Sequence, residues 1–276
     1  METYQLRDGS VIPKVGFGTY QLNGALGVNV IVAALNNGYR LLDSAFNYEN
    51  EGAVGEAISK SGISRSEIIV SSKLPGRHHH YQEAINTIQE SLYRAQLDYY
   101  DLYLIHWPNP LENNYVEAWQ ALIDAQKFGL IRSIGVSNFL PEHLTRLEKE
   151  TGVLPVINQI ELHPYFNQAK QRQFDTEHQI LDEAWSPLGR GNNELADPVI
   201  TKLATQYHKN AGQIVLRWQL QLGVLPIPKS SHSQRQQENL ALFDFELSET
   251  EMAQLNQLSK VDGRLANQDP ATYQEF

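Results

Sequence analysis

The sequence predicts a single (β/α)8 barrel, the TIM-barrel class of α/β fold. Eight short apolar segments alternate with segments of helical period along the 276 residues. The apolar segments lack the polar–apolar alternation of a half-exposed sheet, which indicates parallel strands that are buried on both faces. Eight strand–helix units in about 250 residues are typical of this barrel.

The predicted elements follow one another along the chain. The turn sequence RDGS separates residues 4–6 from residues 11–13 and predicts an N-terminal β-hairpin. Strands are predicted at 14–20, 39–45, 67–74, 99–107, 131–138, 155–162, 179–185 and 224–230. Helices are predicted at 27–37, 49–60, 81–96, 115–128, 141–150, 168–178, 197–222 (as two helices), 233–243 and, as an extra helix, 248–258.

No linker, internal repeat or low-complexity tract divides the sequence, so we expect residues 1–276 to form one barrel domain. A doubly wound sheet is the alternative fold. That fold usually carries the motif G-x-G-x-x-G after its first strand, whereas this chain has only Gly16-Phe17-Gly18 there.

Composition limits the possible partners and compartments. The chain has 22 Lys and Arg against 32 Asp and Glu, a net charge of -10 that disfavours nucleic acid and anionic membranes. It has no cysteine, no charged and apolar leader in residues 1–10, and no run of 18 apolar residues. We therefore expect a cytoplasmic protein that binds neither nucleic acid nor a membrane.

Polar residues collect where the predicted strands end, which is where (β/α)8 barrels build their active sites. These residues are Asp43 with Tyr48 in the following loop, Lys73, His106, Ser137 and Asn138, Gln159 and Glu161, Trp185 and Ser186, and Lys229 and Ser230. One such residue alone is more often structural. A ring of them at one end of a barrel indicates a functional site.

Four of these residues have the chemistry needed to protonate an alkoxide. The phenol of Tyr48 is a weak acid with a pKa near 10, and the charge of Lys73 would lower that pKa. Asp43 would hold Lys73, and His106 would orient a carbonyl oxygen. From Asp43 and Lys73 alone, an ordinary ion pair with Tyr48 packed on the rim is the simpler interpretation.

Longer motifs make the assignment specific. The segments LLDSAFNYENE, SSKL, LYLIHWP, IGVSNF, INQIELHPY, AWSPLGRG and PIPKSS resemble, in order and spacing, the signatures of the aldo-keto reductase superfamily, and most of all its bacterial 2,5-diketogluconate reductase type. The resemblance implies NADPH-dependent reduction of aldehyde or ketone carbonyls to alcohols by hydride transfer from nicotinamide. It makes Tyr48 the general acid, Lys73 the neighbour that lowers its pKa, Asp43 the partner of Lys73, and His106 the residue that orients the substrate.

The resemblance also implies the binding residues. It places Ser137, Asn138 and Gln159 on the nicotinamide amide, Trp185 on the nicotinamide ring, and Ser186, Pro187, Leu188 and Gly189 around the pyrophosphate. The other cofactor contacts are Gly18, Thr19, Tyr20 and Asp43 and, near the 2′-phosphate and adenine, Lys229, Ser230, Ser231, Arg235, Glu238 and Asn239. The substrate pocket is expected to involve Tyr20, Phe46, Tyr48, His106 and Trp107, with the C-terminal tail as a further candidate. The partner is then a small carbonyl compound, and the family habit is a monomer.

The preference for NADPH over NADH has a physical basis in PIPKSSHSQR. A helix start there would offer free N–H groups and a positive dipole to the 2′-phosphate. Arg235 would add a planar fork that binds phosphate with two hydrogen bonds. An exposed basic helix face is the alternative interpretation.

Some features depart from the family pattern or permit other interpretations. Pro75 stands where many relatives carry tryptophan, Tyr20 stands where some do, and the 108–115 loop is short. These changes touch the pocket wall, so they affect the substrate and not the reaction. We expect no metal site: residues 78–80, three consecutive histidines, are expected in a solvated loop, and Glu161-x-His163 in a structural corner.

The sequence offers little support for other enzyme classes. No G-x-S-x-G elbow supports serine hydrolysis. A metal-dependent isomerase or aldolase and a barrel without turnover remain as alternatives. Bound divalent metal would identify the former, and retention of all four catalytic groups argues against the latter.

Overall fold

The computed structural model describes residues 2–276. An antiparallel hairpin of β1 (Thr3–Gln5) and β2 (Val11–Pro13) comes first. Ile12 of this hairpin is buried in the same apolar cluster as Leu41, Leu102 and Leu225 of the barrel strands. Asp8, in the turn of the hairpin, accepts a hydrogen bond from Ser133 Oγ at 2.7 Å. The hairpin therefore closes the end of the barrel opposite the predicted site.

Eight parallel strands form one sheet in sequence order. They are β3 (Phe17–Gly18), β4 (Leu41–Asp43), β5 (Ile69–Leu74), β6 (Tyr100–Ile105), β7 (Ile131–Ser137), β8 (Ile157–Glu161), β9 (Leu181–Trp185) and β10 (Leu225–Pro226). The N–H of Gly16 donates to Pro226 O at 3.0 Å and that of Gly18 to Pro228 O at 3.2 Å, which closes the sheet into a barrel. Gly18 is needed at this seam, because a Cβ there would lie 3.0 Å from Ile227 O.

Helices surround the barrel. They are α1 (Gly24–Asn36), α2 (Glu51–Ser61), α3 (Tyr81–Ala95), α4 (Tyr115–Lys127), α5 (Pro141–Thr151), α6 (Ala169–Glu177), α7 (Pro198–Tyr207), α8 (Ala211–Gln221), α9 (Ser233–Leu240) and α10 (Glu249–Asn256). Local sequence sets several of their starts: Asp197 accepts a hydrogen bond from Val199 N ahead of α7, and Ser248 with Glu251 forms a capping box at α10. No helix within residues 2–276 is long and apolar enough to cross a membrane.

The core has two layers that matter for the site. Most apolar side chains, including the buried Trp119 and Trp218, lie between the sheet and the helices. Inside the barrel, Leu41, Leu102 and Leu225 fill the end near the hairpin. Apolar packing at that end leaves the opposite, C-terminal end of the barrel for polar side chains.

The predicted (β/α)8 barrel, hairpin and extra helices are confirmed. The main differences lie at the ends of elements: β3 and β10 each have two residues, whereas longer strands were predicted at 14–20 and 224–230. Pro226 and Pro228 have no N–H for a sheet ladder, which shortens β10. The predicted 197–222 segment is two helices, since His208 adopts a left-handed φ of 54° between them.

Candidate active site

A cavity of about 520 Å³ opens at the C-terminal ends of the strands. Of the residues predicted from the sequence, those that line it are Gly18, Tyr20, Asp43, Tyr48, His106, Trp107, Ser137, Asn138, Gln159, Trp185, Ser186, Pro187, Leu188 and Lys229. Its volume is in the range of pockets that hold small molecules.

A buried ion pair lies at the floor of the site: Asp43 lines the cavity, and Lys73 lies directly beneath it. Lys73 Nζ lies 2.7 Å from Asp43 Oδ1 and 2.9 Å from Oδ2, and it also donates to Ser44 O at 2.7 Å. Asp43 Oδ1 accepts further hydrogen bonds from Ser71 Oγ and Gln159 Nε2. Burial works to lower the pKa of Lys73, but the charge and hydrogen bond of Asp43, together with the charges of Tyr48 and Glu183, outweigh burial and leave that pKa raised, so Lys73 carries its charge.

Tyr48 stands above this pair, at the end of a 3-10 turn that spans Phe46–Tyr48. Lys73 Nζ lies 5.0 Å from the centre of its ring, and the rings of Tyr20 and His106 meet it edge-on at 5.0 and 5.9 Å. Part of the side chain faces the cavity, yet burial still raises the pKa of the Tyr48 phenol. Lys73 lowers that pKa and Asp43 raises it. Lys73 thus has the predicted influence, but it does not bring the pKa below its ordinary value.

His106 and Trp107 follow directly after β6. The Nδ1 atom of His106 lies 2.7 Å from Oε1 of Glu275, within ion-pair distance, although the contact departs from the direction of an ideal hydrogen bond. Trp107 packs against Tyr273, with ring centres 4.5 Å apart. Residues from the end of the chain therefore complete the side of the site that β6 begins.

The ends of β7, β8 and β9 share one polar network. Asn138, with a left-handed φ of 63°, donates from Nδ2 to His106 O and to Ser137 Oγ, each at 3.0 Å. Its Oδ1 accepts from Trp185 Nε1 at 2.8 Å. Gln159 connects this wall to the floor through its hydrogen bond to Asp43. The network fixes the indole of Trp185 beside the polar floor.

The loop after β9 forms the next part of the wall. Gly189 has a φ of 63°, and a Cβ there would lie 2.3 Å from Asn192 Oδ1, so the turn requires glycine. Further along this loop, Glu194 lies 2.9 Å from Nδ1 of His163, whose Nε2 lies 3.0 Å from Glu161. This buried carboxylate–imidazole–carboxylate group connects the loop to the end of β8, which agrees with the predicted structural corner.

The predicted 2′-phosphate and adenine residues follow the end of β10, and all except Lys229 lie outside the cavity lining. Lys229 lines the cavity mouth and is exposed. Ser231 and Arg235 are exposed near the start of α9, whereas Ser230 and Asn239 are buried. Glu238 accepts a hydrogen bond from Asn210 at 3.0 Å. Lys229 and Arg235 therefore place one exposed positive charge between β10 and α9 and another near the start of α9.

Comparison with known proteins now adds to this geometry. A family model described as "Aldo/keto reductase family" matches residues 14–260. The chain belongs to the aldo/keto reductase family. It is 48% identical to 2,5-diketo-D-gluconic acid reductase B of Corynebacterium sp. (strain SHS752001), over 99% of this chain and 98% of that protein.

Two further relatives of this aldo/keto reductase extend the comparison. Methylglyoxal reductase DkgA of Escherichia coli (strain K12) is 43% identical, over 96% of each chain. The crystal structure of a Bombyx mori aldo-keto reductase in complex with NADP is 38% identical, with a TM-score of 0.88, over 94% of this chain and 93% of that one. The predicted family, its resemblance to the 2,5-diketogluconate reductase type and the assignment as an oxidoreductase are confirmed.

Several predicted site residues of the reductase do not line the cavity. They are Thr19, Phe46, Lys73, Gly189, Ser230, Ser231, Arg235, Glu238 and Asn239. Lys73 lies beneath the floor, and Thr19 Oγ1 donates to the backbone carbonyl of Asp43 at 2.8 Å, so both support cavity residues. Phe46 was expected in the substrate wall, but it is buried between Arg77 and Arg94.

Other lining residues were not predicted individually. They are Gln21, Asn47, Arg190, Ile227, Pro228, Gln268, Tyr273 and Glu275. The last three belong to the C-terminal tail, which was considered only as a whole. The rule that barrel sites form at strand ends does not identify these three residues, because their position depends on how the tail segment, residues 261–276, folds back over the barrel.

Two buried groups complete the electrostatics of the reductase. His79 was expected in a solvated loop, and that expectation is wrong: the residue is 1% exposed, and burial lowers its pKa to about 4, so it is neutral. Glu183, on β9 beneath the site, is fully buried. Burial and the charge of Asp43 raise its pKa, so it adds little negative charge near Lys73 at neutral pH.

Proposed function

We propose that this chain catalyses NADPH-dependent reduction of aldehyde or ketone carbonyls to alcohols, with Tyr48 as the general acid. The observation that carries the proposal is the position of Tyr48 directly above the Asp43–Lys73 ion pair, with His106 facing it across the cavity. Membership of the aldo/keto reductase family supports the reaction class.

The residues around the cavity fit a nicotinamide dinucleotide. Asn138 and Gln159 offer amide groups beside the polar floor, and the indole of Trp185 is held at the adjoining wall. Lys229 and Arg235 supply positive charge toward the start of α9, where a 2′-phosphate would find free N–H groups. NADPH, when bound, supplies the hydride. A relative solved in complex with NADP supports this choice of cofactor.

Side chains of this protein, not the cofactor, carry out the proton transfer. Because burial raises the pKa of Tyr48, its phenol holds a proton at neutral pH and can give it to the carbonyl oxygen. Lys73 stabilises the phenolate that remains, and Asp43 holds Lys73 in place. His106 faces Tyr48 edge-on and orients the same oxygen. The geometry and the family membership support these proposed roles.

The cavity favours small carbonyl compounds that carry a second polar group. Its outer wall combines the aromatic rings of Tyr20, Trp107 and Tyr273 with the polar side chains of Arg190 and Gln268. Relatives named for 2,5-diketo-D-gluconic acid and methylglyoxal support a dicarbonyl substrate. We propose that α-dicarbonyl compounds are reduced faster than simple ketones of similar size.

The test is a spectrophotometric assay of NADPH oxidation with methylglyoxal, a diketo sugar acid and a simple ketone, run with and without a metal chelator. The proposal expects carbonyl-dependent oxidation of NADPH that the chelator does not change. Absence of turnover with every carbonyl compound would contradict it. Activity that the chelator abolishes would instead favour the metal-dependent isomerase or aldolase alternative.

We also propose a monomer as the active unit, because all four catalytic groups come from one chain around one cavity. Light scattering at the enzyme concentration of the assay would measure the mass. A dimer whose dissociation abolishes activity would contradict this proposal.

A further inference from the structure

The tail segment places a carboxylate inside the active site. Glu275 is 8% exposed, although it lies one residue from the end of the sequence. Its Oε1 lies 2.7 Å from His106 Nδ1 and accepts a hydrogen bond from Asn47 Nδ2 at 2.7 Å. Its Oε2 accepts from the backbone N–H of Gly76 at 2.8 Å. Each carboxylate oxygen therefore has a defined partner.

The backbone of Glu275 is fixed as firmly as its side chain. Asn109 is buried and pairs with it twice: Asn109 Nδ2 donates to Glu275 O at 2.9 Å, and Glu275 N donates to Asn109 Oδ1 at 3.0 Å. Arg77 donates to the carbonyl of Phe276 at 2.8 Å. A Cβ on Gly76 would lie 2.2 Å from Asn109 Nδ2, so glycine is required for this packing. Asn47, Gly76 and Asn109 thus form a binding pocket for this carboxylate, the Glu275 pocket.

Glu275 is an anion in the Glu275 pocket. Burial works to raise the pKa of its carboxyl, but the contact with His106 and the hydrogen bonds from Gly76 and Asn47 together outweigh burial and leave that pKa lowered. The other titratable groups around it are the phenol of Tyr48, the neutral ring of His79 and the guanidinium of Arg77, which binds Asn47 and the tail backbone. His106 is the ring in direct contact with the carboxylate.

The anion beside Nδ1 of His106 determines whether the other ring nitrogen, Nε2, can donate a hydrogen bond. A neutral imidazole carries its hydrogen on one nitrogen and a lone pair on the other. If Glu275 holds the hydrogen on Nδ1, a neutral ring would present a lone pair from Nε2, which repels a carbonyl oxygen. Only a ring with both nitrogens protonated can contact Glu275 and also donate a hydrogen bond to the substrate.

We propose that Glu275 is a positioning residue that keeps His106 doubly protonated, so that Nε2 donates a hydrogen bond to the substrate carbonyl. This inference rests on the proposed carbonyl reduction. Glu275 fixes the ring through Nδ1 and balances its charge where both side chains are largely buried. The tail segment thereby acts on the reaction through the orientation and charge of His106.

Kinetic variants test the coupling between the two residues. Glu275→Gln should lower kcat/KM for methylglyoxal by about ten- to a hundredfold, the size expected when a polar contact with a charged group is lost. Glu275→Asp should retain more activity than Glu275→Gln. Asp262→Asn removes the charge of an exposed carboxylate in the same tail segment and should leave activity unchanged. In a His106→Asn background, Glu275→Gln should cause no further loss, because both changes remove the same interaction.

An equal loss from Glu275→Gln in the wild-type and His106→Asn backgrounds would overturn the inference, since Glu275 would then act without His106. A purely structural role would lower the melting temperature of Glu275→Gln and Glu275→Asp alike without this dependence on His106. If Glu275→Gln does not fold, the comparison is made with Glu275→Asp.

Nitrogen NMR of the 15N-histidine-labelled protein tests the ring without relying on turnover. At neutral pH, both ring nitrogens of His106 should show the shifts of protonated nitrogen in the wild type, and only one should do so in Glu275→Gln. A singly protonated wild-type ring would overturn the inference. Lack of turnover by the wild type would contradict the proposed function, whereas the NMR result would still decide the state of His106.

Discussion

Lys73 Nζ lies 2.7 Å from Asp43 Oδ1 and 2.9 Å from Asp43 Oδ2, and the two side chains are 0% and 3% exposed. Such deep burial makes each charge dependent on the other, because an unpaired charge inside a barrel is costly. The same ammonium lies 5.0 Å from the ring centre of Tyr48. The ion pair therefore serves both stability and, in the proposed mechanism, the acid.

Replacing Lys73 should affect both properties. Lys73→Met should lower the free energy of unfolding by about 3–5 kcal/mol, because Asp43 would stay buried without its partner. It should also lower the turnover number by about 10²–10⁴-fold, since the phenolate of Tyr48 would lose its stabilising charge. Denaturant unfolding and NADPH oxidation, measured on the same preparation, would test the two effects.

The double variant Lys73→Met/Asp43→Asn separates these effects. It removes the uncompensated carboxylate, so part of the lost stability should return, while turnover should stay low because the ammonium is still missing. If turnover recovered together with stability, Lys73 would have only a structural role.

Arg235 should discriminate between the two nicotinamide cofactors. It lies exposed on α9, where it can contact a 2′-phosphate. Arg235→Ala should weaken NADPH binding by roughly ten- to a hundredfold and leave NADH binding nearly unchanged. Fluorescence titration with each cofactor measures both affinities. Lys170→Ala, which removes an exposed positive charge at the start of α6, is the matched control. Equal losses for NADPH and NADH would contradict the 2′-phosphate assignment.

His163 should make stability depend on pH. Burial alone would lower its pKa, but the hydrogen bond with Glu161, the ion-pair contact with Glu194 and the charges of both carboxylates outweigh burial and raise the pKa to about 9. Since the unfolded value is near 6.5, the stabilisation is fully present below pH 6.5 and is lost as pH rises toward 9. It amounts to about 3 kcal/mol at most.

Denaturant unfolding of the wild type and His163→Gln would measure this effect. The wild type should be more stable than the variant at pH 6, and the difference should shrink at pH 9.5. A difference that stays constant over this range would show that His163 does not carry the charge.

The barrel could be predicted because its determinants are local. Residues 67–74, 99–107 and 131–138 are segments rich in apolar residues, without strict polar–apolar alternation, between helical segments, and β5, β6 and β7 lie within them. The ends of the predicted strands then identified the residues at the floor of the site, because a parallel barrel brings the carboxyl ends of its strands to one face. Asp43, Lys73 and Tyr48 lie together in the structure for this reason.

The tail could not be placed in the same way. Glu275 contacts His106 because the Glu275 pocket, formed by Gly76, Asn47 and Asn109, holds it there. All three residues are far from Glu275 in sequence. No period or motif in the sequence encodes that contact. The pKa of Tyr48 also required the structure, since the sequence suggested the influence of Lys73 but not the extent of burial that opposes it.

The central claim is that Tyr48 supplies the proton, and single-turnover reduction of methylglyoxal by Tyr48→Phe tests it most directly. Single-turnover kinetics report the chemical step without product release. The variant should reduce the carbonyl about 10²–10⁴-fold more slowly than the wild type, with unchanged NADPH affinity and circular dichroism. Tyr93→Phe, which removes a phenol hydroxyl from an 82% exposed side chain, should retain the full rate. A folded Tyr48→Phe enzyme that reduces methylglyoxal at the wild-type rate would contradict the account.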